Sequence, residues 1–243
     1  MKRSLLAVTA ALAFAANAAS AAEVKAAIGL SLPPYVIEAE KRGMEYDIVK
    51  EALAAEGHVL VPVFLPFARV VKAMQDKEVD AALTVNESSG VEAAYSDSHV
   101  TYRNYAITLA DKGVKVESVA DLKDKSVVAF QNAGLYLGDA YKAAVSANKS
   151  YREEAKQELQ NTLLYSGKID VVVGDGNIFN WYNKEVAGKV DTSQKVTLHP
   201  IFEPTPYKVA FRDPAMRDAF NRGLAKLKAS GAYDKIVAQY GQQ

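Results

Sequence analysis

The chain has 243 residues, of which 49% are hydrophobic, and its 29 basic and 29 acidic side chains give a formal net charge of zero. It contains no cysteine, which excludes disulfides, thiol nucleophiles and thiolate metal ligands. A balanced charge without a basic block is not typical of a nucleic-acid-binding protein, so we expect no nucleic acid among its partners.

Residues 1–21 have the pattern of a secretory signal peptide. Lys2 and Arg3 precede the apolar run Leu5–Ala16, and Ala-x-Ala patterns follow at 16–18 and 19–21. We expect cleavage after Ala21, with Ala18 and Ala22 as alternative sites, and export to the periplasm. The structural alternative for this segment is a buried N-terminal helix. Cleavage removes two of the 29 basic residues, which leaves 27 against 29 acidic residues and a net charge of −2. No later apolar run approaches the roughly 20 residues that a membrane span needs.

The first part of the remaining chain alternates between strand and helix patterns. Helical stripes begin at Met44 and at Phe67, and Glu56-Gly57 is a helix stop. Apolar runs predict three strands around them, at Val24–Leu30, Val59–Phe64 and Val79–Val85. This alternation predicts a parallel sheet covered by helices.

A similar series begins again near the middle of the chain. A strand at Val127–Phe130 precedes a helix at about Tyr136–Val145, and a further helix precedes the strand Ile169–Val173. The segment Lys77–Leu83 is echoed by Gly167–Val173, as two lobes of one design would produce. Asp80 and Asp170 lie at equivalent strand starts in this echo, and we assign both a structural role.

Two extended runs predict where the chain passes between the lobes. These are Asn104–Leu109 and Tyr207–Phe211, which form a two-strand hinge if the chain returns to the first lobe. The predicted first lobe is therefore 22–106 with 208–243, and the second is 107–207. Ligands of open α/β sheets bind beyond the carboxyl ends of the strands, so the site is expected in the cleft between the lobes.

Several motifs, taken in order and spacing, resemble the family 3 extracellular solute-binding proteins over residues 24–241. They are Pro33-Pro34-Tyr35, Gly43-Met44-Glu45-Tyr46-Asp47, Pro66-Phe67-Ala68-Arg69, Val79-Asp80-Ala81, Tyr95-Ser96-Asp97, Ser118 to Lys125 and the tail from Phe220 to Tyr240. The resemblance implies an α/β, two-lobed periplasmic-binding-protein fold. It also implies a monomer that captures a small polar solute and hands it to an inner-membrane ABC permease.

The chain departs from the family at one ligand-binding position. Amino-acid binders of the family hold the ligand's α-carboxylate with an arginine, and the corresponding stretch here, 86–92, has none. A planar guanidinium suits a carboxylate in a way that serine does not. Either Arg69 or Arg103 replaces it, or the ligand is not an ordinary amino acid. The aspartate that receives the α-amino group corresponds to Asp175, which favours a cationic or neutral ligand.

The candidate ligand-binding residues all follow predicted strands or lie at the hinge, and each also has an ordinary structural explanation. Tyr35 and Phe67 are expected to form aromatic walls, and Arg69 is expected to bind an anionic group. Thr84, Asn86 and Glu87 are polar groups at a strand end, and Gln131 and Asn132 lie at a helix start whose amides can bind an anion. Asp175 is the carboxylate that binds an amine, and Tyr207 is a ring at the hinge.

Catalysis is not expected. His58, His99 and His199 do not have metal-ligand spacing, and neither a nucleophile elbow nor a phosphate-binding loop is present. We expect no metal and no cofactor. Two alternatives remain, namely delivery of the ligand-bound protein to a sensor kinase or chemoreceptor, and a periplasmic dehydratase on the same fold, whose relatives need the missing arginine.

Overall fold

The computed structural model describes residues 22–30 and 32–241, and the predicted signal peptide lies outside the described residues. The strands are β1 (Glu23–Gly29), β2 (Val59–Leu65), β3 (Ala81–Val85), β4 (Ala94–Tyr95), β5 (Val100–Tyr102), β6 (Asn104–Leu109), β7 (Val127–Ala129), β8 (Tyr151–Glu153), β9 (Val171–Asp175), β10 (Val196–His199) and β11 (Thr205–Phe211). The helices are α1 (Met44–Ala54), α2 (Phe67–Gln75), α3 (Ala133–Tyr136), α4 (Asp139–Ser146), α5 (Gln157–Tyr165), α6 (Gly176–Val186), α7 (Pro214–Ala229) and α8 (Ala232–Tyr240).

The strands form two sheets, one in each lobe, as predicted. The first sheet has the order β2-β1-β3-β11-β4, with β5 paired to β11, and the second has the order β10-β6-β9-β7-β8. In both sheets the strands of the βαβ units run parallel, β1 with β2 and β3, and β7 with β8 and β9. The two-lobed α/β fold inferred from the sequence is confirmed.

Neither sheet is purely parallel, which differs from the prediction of parallel-sheet lobes. β11 runs antiparallel to β3, and β6 runs antiparallel to β9 and β10. These strands enter their sheets from the other lobe rather than through a crossover helix, so they run in the opposite direction.

The chain passes between the sheets at residue 103 and again at 200–204. β5 belongs to the first sheet and β6 to the second, and β11 returns to the first sheet at Thr205. The division of the chain into lobes stays a prediction. We propose boundaries at 103/104 and 204/205 in place of 106/107 and 207/208, because the latter fall inside β6 and β11.

One predicted helix, about Tyr136–Val145, is two helices in the structure. Gly138 has a φ of 87° and separates α3 from α4. This backbone conformation is open to glycine at little cost, and a helix cannot continue through it.

The echoed aspartates have equivalent structural roles. Asp80 accepts a hydrogen bond from the backbone N–H of Lys25, and Asp170 accepts hydrogen bonds from the backbone N–H and hydroxyl of Ser126. Each carboxylate therefore fixes the start of the neighbouring strand at the amino ends of the sheet. Both lie away from the carboxyl ends, where the lobes face each other.

Candidate functional site

A narrow cavity lies between the lobes, at the carboxyl ends of the parallel strands of both sheets. Its free space is about that of one water molecule, so the two lobes are closed on each other. The first lobe contributes Leu32, Phe67, Thr84, Tyr102 and Tyr207, and the second contributes Asn104, Phe130, Gln157, Asp175 and Ile178.

The motif that contains Tyr35 is fixed to the start of α1. The backbone carbonyl of Tyr35 accepts hydrogen bonds from the N–H groups of Glu45 and Tyr46, which lie in the first helical turn. Gly43 makes this approach possible, because a Cβ built on it would lie 2.3 Å from that carbonyl oxygen. The Tyr35 ring is fully buried and stacks on Tyr102 with their centroids 3.8 Å apart.

Asp175 joins the two lobes. It is the N-cap of α6, where Oδ1 accepts hydrogen bonds from the N–H groups of Asn177 (2.9 Å) and Ile178 (3.1 Å). Oδ2 accepts hydrogen bonds from the backbone N–H of Arg103 (2.8 Å) and from the Tyr35 hydroxyl (3.2 Å). Burial nevertheless raises the pKa of Asp175 to about 6, because the loss of hydration outweighs these donors.

A second buried carboxyl group, that of Glu45, lies directly behind the first-lobe wall of the cavity. Its Oε2 accepts hydrogen bonds from Thr84 Oγ1 (2.9 Å) and the Tyr102 hydroxyl (3.0 Å). Its Oε1 lies 2.9 Å from His99 Nε2. His99 Nδ1 is buried without a hydrogen-bond partner in the part of the chain that the structure describes. A carboxylate oxygen accepts hydrogen bonds, so we assign Nε2–H of His99 as the donor to Glu45.

The backbone at Thr84 is adapted to this contact. Its φ is 58°, a left-handed conformation that is rare for a β-branched residue. The pairing between β3 and β11 shifts register at this point, between Lys208 and Ala210. The irregularity turns the Thr84 hydroxyl toward Glu45 at the cavity wall.

Five of the predicted site residues come together around the cavity. Phe67, Thr84, Asp175 and Tyr207 line it, and Tyr35 contacts Asp175 at its edge. The rings of Tyr207 and Tyr102 meet edge to face, with centroids 4.9 Å apart. Their roles toward a ligand stay predictions.

Three of the predicted residues lie elsewhere. The half-exposed Arg69 lies 4.0 Å from Glu78 in an ion pair on the first lobe, because its position on α2 faces away from the apolar stripe. Asn86 caps a short 3-10 turn through Ser88 N and donates to the carbonyl of Pro206, and Glu87 pairs with Lys208.

Gln131 and Asn132 lie at the start of α3, near the lobe interface. Gln131 Oε1 accepts a hydrogen bond from Ala68 N (3.3 Å), which is a further contact between the lobes. The N–H of Asn132 donates to Glu153 Oε2 (2.7 Å), and the N–H of Gly134 lies 3.5 Å from Oε1. The amides expected to bind an anion are thus directed at a carboxylate of the chain itself.

Sequence reasoning missed part of the cavity. Tyr102, Asn104 and Gln157 line it. Tyr102 ends the short strand β5, which was not predicted, whereas Asn104 begins the predicted crossing strand and Gln157 begins α5. Glu45 did have a sequence signal. It lies at i of the i, i+3, i+4, i+7 set completed by Ile48, Val49 and Ala52, where the buried face of α1 requires an apolar residue.

Comparisons with known proteins agree on one family. The family model of the bacterial extracellular solute-binding proteins, family 3, matches residues 24–243. The ABC transporter arginine-binding protein 1 of Escherichia coli (strain K12) is 24% identical over 254 residues, which covers 100% of both chains.

Solved structures show the same fold. An ancestral arginine-binding protein bound to arginine superposes with a TM-score of 0.73 at 22% identity, over 90% of this chain and 97% of its own. A histidine kinase sensor domain with similarity to periplasmic binding proteins gives a TM-score of 0.77 at 16% identity, over 90% and 96%.

Proposed function

Because this chain belongs to the bacterial extracellular solute-binding proteins of family 3, we propose that it captures a small polar solute in the periplasm and delivers it to an ABC permease of the inner membrane. The solute is an amino acid or a related amine or organic acid. The observation that carries the proposal is the position of Asp175, which is buried at the cavity and hydrogen-bonded across the lobe interface to Tyr35.

The proposed mechanism is a ligand-dependent shift between open and closed lobes. The lobes contact each other through Tyr35 and Asp175, and through Ala68 and Gln131. The rings of Phe67 and Tyr136 also meet, with centroids 5.7 Å apart. A ligand shifts the equilibrium only by its difference in affinity for the two states. A solute held from both sides of the cavity supplies that difference, and no chemical conversion of the solute is proposed.

The test begins with the full chain expressed in a Gram-negative host and purified from the periplasmic fraction. The intact mass reports whether the leader is removed after Ala21. The protein is unfolded and refolded to strip bound solute, and is then screened by thermal shift against amino acids, amines and organic acids. Ligand at about 100 times its Kd adds about 2.7 kcal/mol of stability.

The proposal is supported if at least one solute raises the melting temperature and this increase is lost in Asp175→Ala. Mass spectrometry is expected to recover that solute unchanged. Equal affinity of Asp175→Ala and wild type would remove the second-lobe part of the mechanism. Absence of any shift would count against solute capture.

The partner is tested separately. The ligand-bound protein is expected to stimulate ATP hydrolysis by its reconstituted permease. A response of a sensor kinase in place of the permease would support the sensing alternative. A histidine kinase sensor domain shares this fold.

A further inference from the structure

In each lobe a buried carboxyl group lies at the cavity or directly behind its wall. Asp175 lines it from the second lobe, and Glu45 lies behind Thr84 and Tyr102 in the first. His99 donates a hydrogen bond to Glu45. Within the described chain, the residues that line the cavity include neither lysine nor arginine. A lining that holds the buried carboxyl group of Asp175 and no basic side chain is unfavourable for an anion.

The basic side chains in the segments next to the cavity residues are directed elsewhere. Arg69 pairs with Glu78, and Lys208 pairs with Glu87. The exposed Arg103 contributes its backbone N–H, which donates to Asp175. None of these three cations is among the cavity-lining residues.

The backbone amides at the start of α3 are directed at a side chain of the protein. In the second lobe, the N–H groups of Asn132 and Gly134 are directed at Glu153, whose position is further fixed by the Tyr151 hydroxyl at 2.9 Å. These two amides are therefore already paired with a carboxylate of the protein.

The apolar walls suit a cation. Phe67, Tyr102, Phe130 and Tyr207 surround the space in front of Asp175. The faces of aromatic rings attract ammonium and guanidinium groups, and most strongly where water is excluded. Burial raises the pKa of Asp175 to about 6, and a cation bound beside it offsets the cost of keeping it charged.

We infer that the solute is an organic cation without a carboxylate, an alkylamine or guanidine, whose charged group binds at Asp175 between the aromatic rings. The inference rests on the proposed solute-binding function and specifies its ligand class. Both oxygens of Asp175 are already hydrogen-bonded in the closed arrangement, Oδ2 in part by Tyr35. The lobes therefore separate, and the Tyr35 hydroxyl leaves Oδ2, before the cation binds.

The experiment compares three amino acids with their decarboxylated amines by titration calorimetry on the refolded, exported protein. The pairs are arginine and agmatine, lysine and cadaverine, and histidine and histamine, and the members of each pair differ only by the α-carboxylate. In the pair that contains the tightest ligand, we expect the amine to bind at least as tightly as the amino acid. Asp175→Asn is expected to weaken amine binding at least tenfold. Asp124→Asn, which changes an aspartate on the surface, is expected to leave it unchanged.

A tighter amino acid in that pair would overturn the inference and leave the proposed function standing. Binding of organic acids alone would also overturn the inference and leave the proposed function standing. If none of the six compounds binds, the inference is overturned, and the wider thermal-shift screen decides the proposed function independently. Should Asp175→Asn fail to fold, Glu45→Gln tests the acidic first-lobe wall, and amine affinity unchanged in that variant would contradict the inference.

Discussion

Replacing Asp175 by asparagine changes how the stability of the protein depends on pH, because it removes a buried group that titrates differently in the folded and unfolded states. In the folded protein, burial raises the pKa of this carboxyl group from 3.8 to about 6. Between these two values the folded protein binds more protons than the unfolded chain. The stabilising contribution of Asp175 is therefore fully present below pH 3.8 and is lost as the pH rises through 6.

The size of the effect follows from the shift. About two pKa units correspond to about 3 kcal/mol of unfolding free energy, of which about 2 kcal/mol falls between roughly pH 4.5 and 7.5. Urea unfolding of wild type and Asp175→Asn across this range gives the difference in unfolding free energy at each pH. We expect the wild type to lose about 2 kcal/mol relative to the variant, since asparagine does not titrate.

Asp124→Asn serves as the control, because it removes an exposed carboxylate and its difference from wild type is expected to vary little with pH. A wild-type stability that follows that of Asp175→Asn at every pH would refute the reasoning. It would mean that the four hydrogen bonds to Asp175 compensate fully for its burial. Addition of a tight cationic ligand is expected to lower the pKa of Asp175 and to reduce the pH dependence.

Two glycine substitutions test how the site is held. Gly43→Ala and Gly57→Ala both put a side chain at a positive φ, but only the Cβ at Gly43 meets the Tyr35 carbonyl. We expect Gly43→Ala to weaken ligand binding at least tenfold in calorimetry, while Gly57→Ala costs only about 1 kcal/mol of stability. Gly223→Ala places a Cβ 1.9 Å from the Ala52 carbonyl oxygen, between α7 and α1. Despite a gain of about 1 kcal/mol in helix propensity, we expect a net loss of about 2 kcal/mol in urea unfolding from overpacking, and unchanged stability would contradict the close packing.

Much of the fold could be predicted from local patterns. The three strands and two helices of the first series lie within two residues of their predicted limits, as β1 and α1 illustrate. Such elements are defined by side-chain periodicity and by glycine and proline at their ends, both of which are local properties of the chain. The echo that predicted two lobes also has a physical basis, because Asp80 and Asp170 both fix the start of a neighbouring strand.

The candidate site could be predicted only in part from local sequence patterns. Position after a strand was enough to identify Phe67, Thr84 and Asp175 as cavity residues. It was not enough for charged side chains, since Arg69 follows a strand as well but pairs with Glu78 on the surface. The partner of a long charged side chain depends on neighbours that are distant in sequence.

The sequence by itself thus determined the alternation of strands and helices, the duplication into two lobes and the family, because periodicity, chain breaks and motif order can be recognised along one chain. Only the tertiary structure decided the character of the cavity. It placed Glu45 behind Thr84 and Tyr102, and it directed the second-lobe amides at Glu153. Burial and hydrogen-bond pairing depend on contacts across 39 residues for Thr84 and Glu45 and across 140 residues for Tyr35 and Asp175, and no local pattern specifies contacts over such separations.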